Sequence, residues 1–433
     1  MSVQSPQALQ LSDTRDGHTG SAEPALAAER RHRRQRVGAA IDRFAAWLDR
    51  FGETSLDFQT VYAGGYGRLA KSLYYRHKTI GTLAVAPLVL CEAFVPAGRA
   101  LWWGRQRFPI GDAHYAMAFA RRYLASNDSA DHQRAVHFLE ALMQSAIRTP
   151  SGLGWGYPFD WVTLYGTIPA QTPLITTLPY VYEAFESVYA IDRQQRWADA
   201  MRSIADHALR DYHSLPWRNG AASSGYTPVP NDAGRVVNAS AYRSFLLTRA
   251  WHDLGDEAYL DAAASNLRFV IDAQNADGSW YYAVDGRRDF IDHFHTCFVL
   301  KALLKIKQLT DGALCGPAIG AGLRYYTEHL FDAEGLPRPF ARAPRFTFYT
   351  RELYDYAEAI NVLTLAREAA PDAEARRDRI VDDILLRWQQ ASGCFRTRQL
   401  LFGWDNVPMH RWAQSQLLRS LCGLLTERCS AEM

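Results

Sequence analysis

Apolar positions along the chain recur at helical spacing. The first clear case is VGAAIDRFAAWLDRF, where Val37, Ile41, Phe44, Ala45 and Leu48 fall on one stripe. Further apolar helices are predicted to begin near Gly111, Thr172, Asn238, Ile291, Leu353 and Pro408, a recurrence of about 60 residues. Each except the last is followed by a second helix, predicted over 131–144, 193–210, 257–273, 318–330 and 373–389. Runs of alternating β-branched residues bounded by turns, the mark of strands, are almost absent. Before each apolar helix comes a loop rich in Gly, Pro and aromatics: LWWGRQRFP, GLGWGYPFDW, PWRNGAASSGYTP, ADGSWYYAVDG, GLPRPFARAPRF and SGCFRTRQLLFGWD.

Helix pairs at a fixed period form a repeat in which each pair buries its face only against its neighbours. Six pairs closing on themselves make an all-α fold, an α/α toroid (six-hairpin barrel) with long rim loops. An open solenoid is the alternative, but such arrays have shorter repeats and plain loops. The toroid is assigned to residues 37–433 as one domain. Residues 1–36 are polar and lack periodicity, which reads as a disordered segment. It ends in the basic run ERRHRRQR, for which weak contact with a membrane surface is a side reading. Residues 56–78 read as a Gly- and Tyr-rich connection before an apolar segment near 81–94. Pro87, Glu92 and Pro96 interrupt that apolar run too often for it to span a bilayer.

Composition changes this picture little. Of 433 residues 48% are hydrophobic and 22% charged, as in an ordinary globular protein. A net charge of +2 gives no general attraction to nucleic acid. The N-terminus has no secretory apolar core, so a cytoplasmic location is expected. The six cysteines show no CxxC pair and read as reduced thiols. Aromatics reach 12%, more than a core needs, and flat polar-edged rings suit stacking on sugars.

Four stretches, taken together, carry a resemblance. They are GWGYPFDW with TPLITTLPYVYEAF behind it, DGSWYY followed by FIDHFHTCFVLKAL, YDYAEAINVL, and VPMHRWAQSQLLRSL. In this order and spacing the chain, over roughly residues 62–425, resembles a bacterial family associated with exopolysaccharide and capsule biosynthesis genes. Its members are helical toroids related to six-hairpin glycosidases and, distantly, to terpenoid cyclases. The resemblance implies the toroid and a role in polysaccharide biosynthesis. Fold does not fix chemistry. The chain departs from the family where Glu352-Leu353-Tyr354 replaces an acid-Ile-Arg triplet, so no arginine is carried over to position 354.

The rim loops hold the candidate chemistry, with acids at Asp160, Asp232, Asp285, Asp292, Glu352 and Asp405. Asp160 lies between Phe159 and Trp161, a setting that would make it a general acid; capping a turn is the plainer role. Asp292 reads as a helix N-cap or as the partner of His295, three residues on and on the same helical face. Asp160 with Asp292 is the first choice for the acid/base pair of a glycoside hydrolase. Glu352 and Tyr349 complete the catalytic candidates; His295 with Tyr349 would serve a uronate C5-epimerase or a polysaccharide lyase. Trp155, Tyr157, Trp161, Trp280, Tyr282, Trp404 and Trp412 are candidate sugar platforms, and Asp405 and Arg411 candidate polar contacts. Arg411 reads equally as a buried tie between the last helix and the first.

GxGxxG, Walker A, HExxH and GxSxG motifs are absent, so no cofactor is expected. No metal is expected either, because His293 and His295 at i and i+2 do not converge on a helix. The expected partner is a poly- or oligosaccharide, free or lipid-linked, with no nucleic acid and no transmembrane segment. Contact with a glycosyltransferase is a side reading. The function expected first is hydrolysis of a glycosidic bond, with epimerase or lyase chemistry second. The non-enzymatic alternative is a glycan-binding assembly factor.

Overall fold

In the computed structural model, residues 22–229 and 234–426 are described. They form helices α1 (Ala22–Phe51), α2 (Gly65–Arg76), α3 (Lys78–Phe94), α4 (Pro109–Ser126), α5 (Ser129–Gln144), α6 (Leu178–Asp192) and α7 (Gln195–Arg210). The second half contains α8 (Val237–Leu254), α9 (Ala258–Asp272), α10 (His293–Leu309), α11 (Gly316–His329), α12 (Leu353–Leu365), α13 (Ala373–Asp383) and α14 (Ser415–Thr426). Helices α4, α6, α8, α10, α12 and α14 form an inner ring, each packed on the next, with α14 returning to α4. Helices α5, α7, α9, α11 and α13 each back the inner helix before them, and α1 backs α14. The expected α/α toroid is the fold, and the first described helix, α1, completes the hairpin of the last, α14.

The two rings differ in sequence because they differ in burial. Outer helix α7 buries one stripe, Trp197, Ala200, Met201, Ile204, Ala205 and Ala208, and turns its charges outward. Inner helix α8 is buried nearly all round, and Ala239, Ser240, Ala241 and Ser244 let neighbouring backbones come close. Left-handed caps stop the inner helices: Asn127 (φ 59°) after α4, Arg193 (φ 55°) after α6 and Gly255 (φ 69°) after α8.

Three sequence expectations change. From Ala22 onward, the segment read as disordered is the first half of α1. Its arginines are matched by α13: Arg30 to Glu374 (2.9 Å), Arg33 to Asp378 (2.8 Å) and Asp382 (3.1 Å), and Arg36 to Asp382 (3.1 Å). Charges answered by a neighbouring helix need no apolar stripe, which is why periodicity missed this half. Residues 1–21 lie outside the described residues. The connection read over 56–78 contains α2, which packs on the strand Trp161–Thr163 at the rim.

The rim loops also pair as short antiparallel ladders of two to four residues. Ile291–Asp292 pairs with Phe340–Arg342. Tyr349–Glu352 pairs with Arg398–Leu400, which pairs in turn with Trp404–Asp405. They are too short for an alternating pattern to show, and they pin the entries to α10 and α12.

Candidate active site at the rim of the toroid

The entries to α10, α12 and α14, three adjacent inner helices, bring the chemistry together. Asp292 caps α10: its Oδ1 accepts the His295 backbone N–H at 3.1 Å and its Oδ2 lies 2.6 Å from His295 Nδ1. Both readings of Asp292 therefore hold at once. A carboxylate on Nδ1 places the proton there and leaves Nε2 as the acceptor. The Asp292 side chain is 3% exposed and that of His295 21%, so the acid is hidden and the imidazole edge is not. Tyr282, Phe294 and Phe298 wall the ring, with centroids 4.6, 4.4 and 5.4 Å away. His293 faces the other way. Its Nδ1 meets Leu330 O at 3.1 Å and its Nε2 the Tyr326 hydroxyl at 2.9 Å, and burial lowers its pKa to about 3.

Glu352 ends the ladder that leads into α12. The register puts it opposite Arg398, whose Nε donates to Glu352 Oε1 at 2.9 Å. The Trp412 indole donates to the same oxygen at 2.7 Å. One turn on, Asp355 is fully buried and neither carboxylate oxygen has a hydrogen-bond partner among the described residues. Burial, and then the nearby carboxylates of Glu352 and Asp292, push Asp355 well above the usual carboxylate range. Glu352 is also raised by burial, against the pull of Arg398. With two strong donors on Glu352 and none on Asp355, the shared proton belongs on Asp355.

Trp412 stacks on Tyr354 at 4.9 Å and meets Phe294 edge-on at 5.4 Å, which joins the three helix entries. The backbone beside it is strained: Ala413 has φ 141° and ψ −44°. Such strain persists only where the surroundings impose it, and it clusters at functional sites. Arg411 is buried; its Nε donates to Asp57 at 2.8 Å and its Nη1 to the Tyr157 hydroxyl at 3.1 Å. It does tie the last helix to the segment after the first, and it also borders the site.

Helix α2 packs on the rim strand Trp161–Thr163. Arg68 forms an ion pair with Asp160. Lys71 is half-buried, and burial, with Arg345 and Arg411 near it, lowers its pKa to about 7. Among the described residues no carboxylate pairs with Lys71; its ammonium meets Gln59 Oε1 at 3.1 Å. Tyr157 and Trp161 meet edge to face at 5.5 Å, and Trp161 lies 5.7 Å from Tyr226, which makes an aromatic wall. Beside His295, a cavity of about 10 Å³, lined by Asn238, Tyr282, Phe290 and Asp292 among others, has room for one water.

Several sequence candidates are engaged by neighbouring groups. Asp160, placed by sequence in an aromatic setting, faces a guanidinium and also accepts the Ala170 N–H at 3.0 Å. Trp155 and Trp280 are buried and donate to Leu142 O and Val270 O, each at 2.9 Å. Trp404 packs on Trp388 at 5.0 Å, and Asp405 is wholly buried against Arg99 at 2.6 Å. These four residues hold the scaffold. Tyr349 sits under the Arg398 guanidinium at 4.3 Å, and burial raises its phenol so that it stays protonated. Asp285 is held at about 2, with Arg287 and Arg288 N–H groups outweighing burial. Asp232 lies outside the described residues.

Sequence reasoning missed Asp355, Arg398, Asp57 and Lys71 as parts of the site. Asp355 had a signal, its three-residue spacing from Glu352. The other three meet the site only through pairing of distant loops. Among the described residues no cluster of His, Cys, Asp or Glu could hold a metal ion.

No family model and no curated protein matches the sequence. Solved structures do match in shape. A cellobiose 2-epimerase from Bacillus thermoamylovorans B4167 aligns with a TM-score of 0.56 at 11% identity, over 74% of this chain and 87% of that one. A D-mannose isomerase gives 0.55 at 14% identity, over 74% and 86%. A GH76 alpha-mannanase from Bacteroides thetaiotaomicron gives 0.53 at 11% identity, over 73% and 86%. At these identities the likeness is one of fold, the α/α toroid.

Proposed function

We propose that the protein is a carbohydrate-active enzyme that moves a proton on a sugar ring bearing a carboxylate, an epimerase- or lyase-type reaction. The observation that carries this reading is the Asp292–His295 pair, a buried carboxylate orienting an imidazole whose free edge meets the rim. His295 Nε2 takes the proton from the carbon next to the substrate carboxylate. Lys71, with Arg345 near it, supplies positive charge that stabilises the resulting enolate, while Arg411 is already paired with Asp57. The Tyr349 phenol, kept protonated, returns a proton from the opposite face in an epimerase. In elimination the enolate electron pair instead forms a double bond to the adjacent carbon, the C–O bond there breaks, and the Tyr349 phenol gives its proton to the departing oxygen. Trp161, Tyr157, Tyr282 and Trp412 stack on the sugars. For a sugar ring to reach His295, the water-sized cavity beside it must widen. The folds it resembles belong to proteins named for sugar epimerisation, isomerisation and mannan cleavage, which supports the substrate class.

Hydrolysis is the second reading. The protonated Asp355 favours it, since a neutral buried acid is what leaving-group protonation requires. It ranks lower because Asp292, Glu352 and Asp355 are all buried and Asp160 is engaged by Arg68. A place in exopolysaccharide or capsule biosynthesis, which rests on the four sequence motifs, and action on a lipid-linked glycan are part of the proposal. Incubation of uronate-containing oligosaccharides in heavy water separates the readings. Deuterium uptake at the carbon next to the carboxylate marks an epimerase, new ultraviolet absorbance a lyase, and reducing ends alone a hydrolase. Saturable binding with none of these marks an assembly factor and ends the enzymatic account.

A further inference from the structure

Helix α3 turns an apolar face outward. Ile80, Leu83, Pro87, Leu90 and Phe94 follow the three- and four-residue spacing of a single helical stripe, and all are exposed. Leu83 is 73% exposed and Phe94 63%. Inward, α3 buries only Gly81, Leu88 and Glu92. Eleven of the twenty large apolar side chains exposed among the described residues lie between Tyr66 and Trp103. This is therefore one concentrated patch, and singly scattered exposed residues would need no account. The patch extends onto a second loop, where Phe402, 78% exposed, stacks on Phe94 at 6.5 Å.

Within the hairpin's own stretch of sequence the charge has one sign. Between Phe58 and Gly111 the only acid is Glu92, buried in an ion pair with Arg99. Arg76, His77 and Lys78 stand exposed together where α2 meets α3. The basic run on α1, by contrast, is answered by the acids of α13 and has no such freedom.

We propose that the α2–α3 hairpin is a membrane-docking element that lays the α3 stripe into the interfacial zone of an anionic phospholipid bilayer, with Arg76 and Lys78 on the headgroups. An apolar stripe flanked by cations and free of exposed acid is the surface such an interface selects. The helix lies in the plane of the interface and does not span; among the described residues no helix is long and apolar enough to cross a membrane. The other helix of the hairpin, α2, pairs Arg68 with the rim residue Asp160 and carries Lys71 near Arg411, so docking brings this part of the rim to the bilayer surface. A glycan carried on a membrane lipid would meet the site there.

The test is co-sedimentation of the full chain with vesicles of phosphatidylcholine alone and of phosphatidylcholine mixed with phosphatidylglycerol. It requires no catalysis, so its failure is separate from failure of the proposed reaction. Binding to the anionic vesicles is expected, weakening as salt rises. The L83S/L90S/F94S variant should bind at least tenfold more weakly, and each of Arg76→Gln and Lys78→Gln roughly fivefold. These residues are exposed, and an unchanged thermal midpoint verifies that the variants fold. Equal binding by wild type and triple variant, or absence of vesicle binding, overturns the proposal. So does a concentration-dependent dimer that the triple variant abolishes, since a second copy of the chain would then cover the face.

Discussion

Two pairs of tryptophans, drawn from the same kind of rim loop, have opposite roles. Trp155 and Trp280 follow α5 and α9, and each donates its indole N–H to the third carbonyl from the end of the preceding outer helix, Leu142 and Val270. Both are buried. Trp161 and Trp412 are half-exposed and face other aromatics, and the Trp412 indole serves a carboxylate rather than a backbone carbonyl. A side chain that repeats with the hairpin period maintains the hairpin. One that breaks the period is free to do something particular. The DGSW turn shows the first case in full: Gly278 has φ 92°, and a Cβ there would lie 2.4 Å from Ala321 O. Its job is to seat Trp280 against α11.

The contrast can be broken by substitution. Trp155→Ala or Trp280→Ala should cost about 3–5 kcal/mol of stability through the cavity and the carbonyl left bare, read as a fall in the denaturant midpoint. If either left stability unchanged while abolishing activity, the assignment to scaffold would be wrong. Trp412→Phe keeps the stack on Tyr354 but removes the donor to Glu352. It should lower kcat/KM roughly tenfold, a loss of about 1.4 kcal/mol, with little change in the denaturant midpoint. A large stability loss with intact turnover would place Trp412 with Trp155.

The smallest effect is on pH. Lys71 has its pKa lowered to about 7 by burial and by Arg345 and Arg411, so it is charged below that value and neutral above it. KM for an anionic sugar should therefore rise as pH passes upward through 7. Lys71→Arg, charged throughout, should flatten that rise, and an identical profile in both proteins would remove Lys71 from substrate binding.

The same distinction explains what was legible. The hairpin period and the entries to the inner helices are local patterns, and the expected starts at Asn238, Ile291 and Leu353 fall within two residues of α8, α10 and α12. Asp292 with His295 followed from helical spacing. Asp355 was open to the same reasoning, standing three residues after Glu352 just as His295 follows Asp292. Arg398 was not, because it reaches Glu352 only when two loops pair in one register. Asp57 reaches Arg411 from the opposite end of the chain. The early start of α1 rests on charges from α13, which local composition does not reveal.

The most direct test is deuterium uptake from heavy water into a uronate-containing oligosaccharide, followed by magnetic resonance for wild type and His295→Gln. The account predicts, for the wild type, exchange at the carbon next to the carboxylate or, where the substituent departs, new ultraviolet absorbance, either one reduced about 10²–10⁴-fold in the variant, with the fold intact. Reducing ends released without exchange, at a rate insensitive to His295, would contradict it.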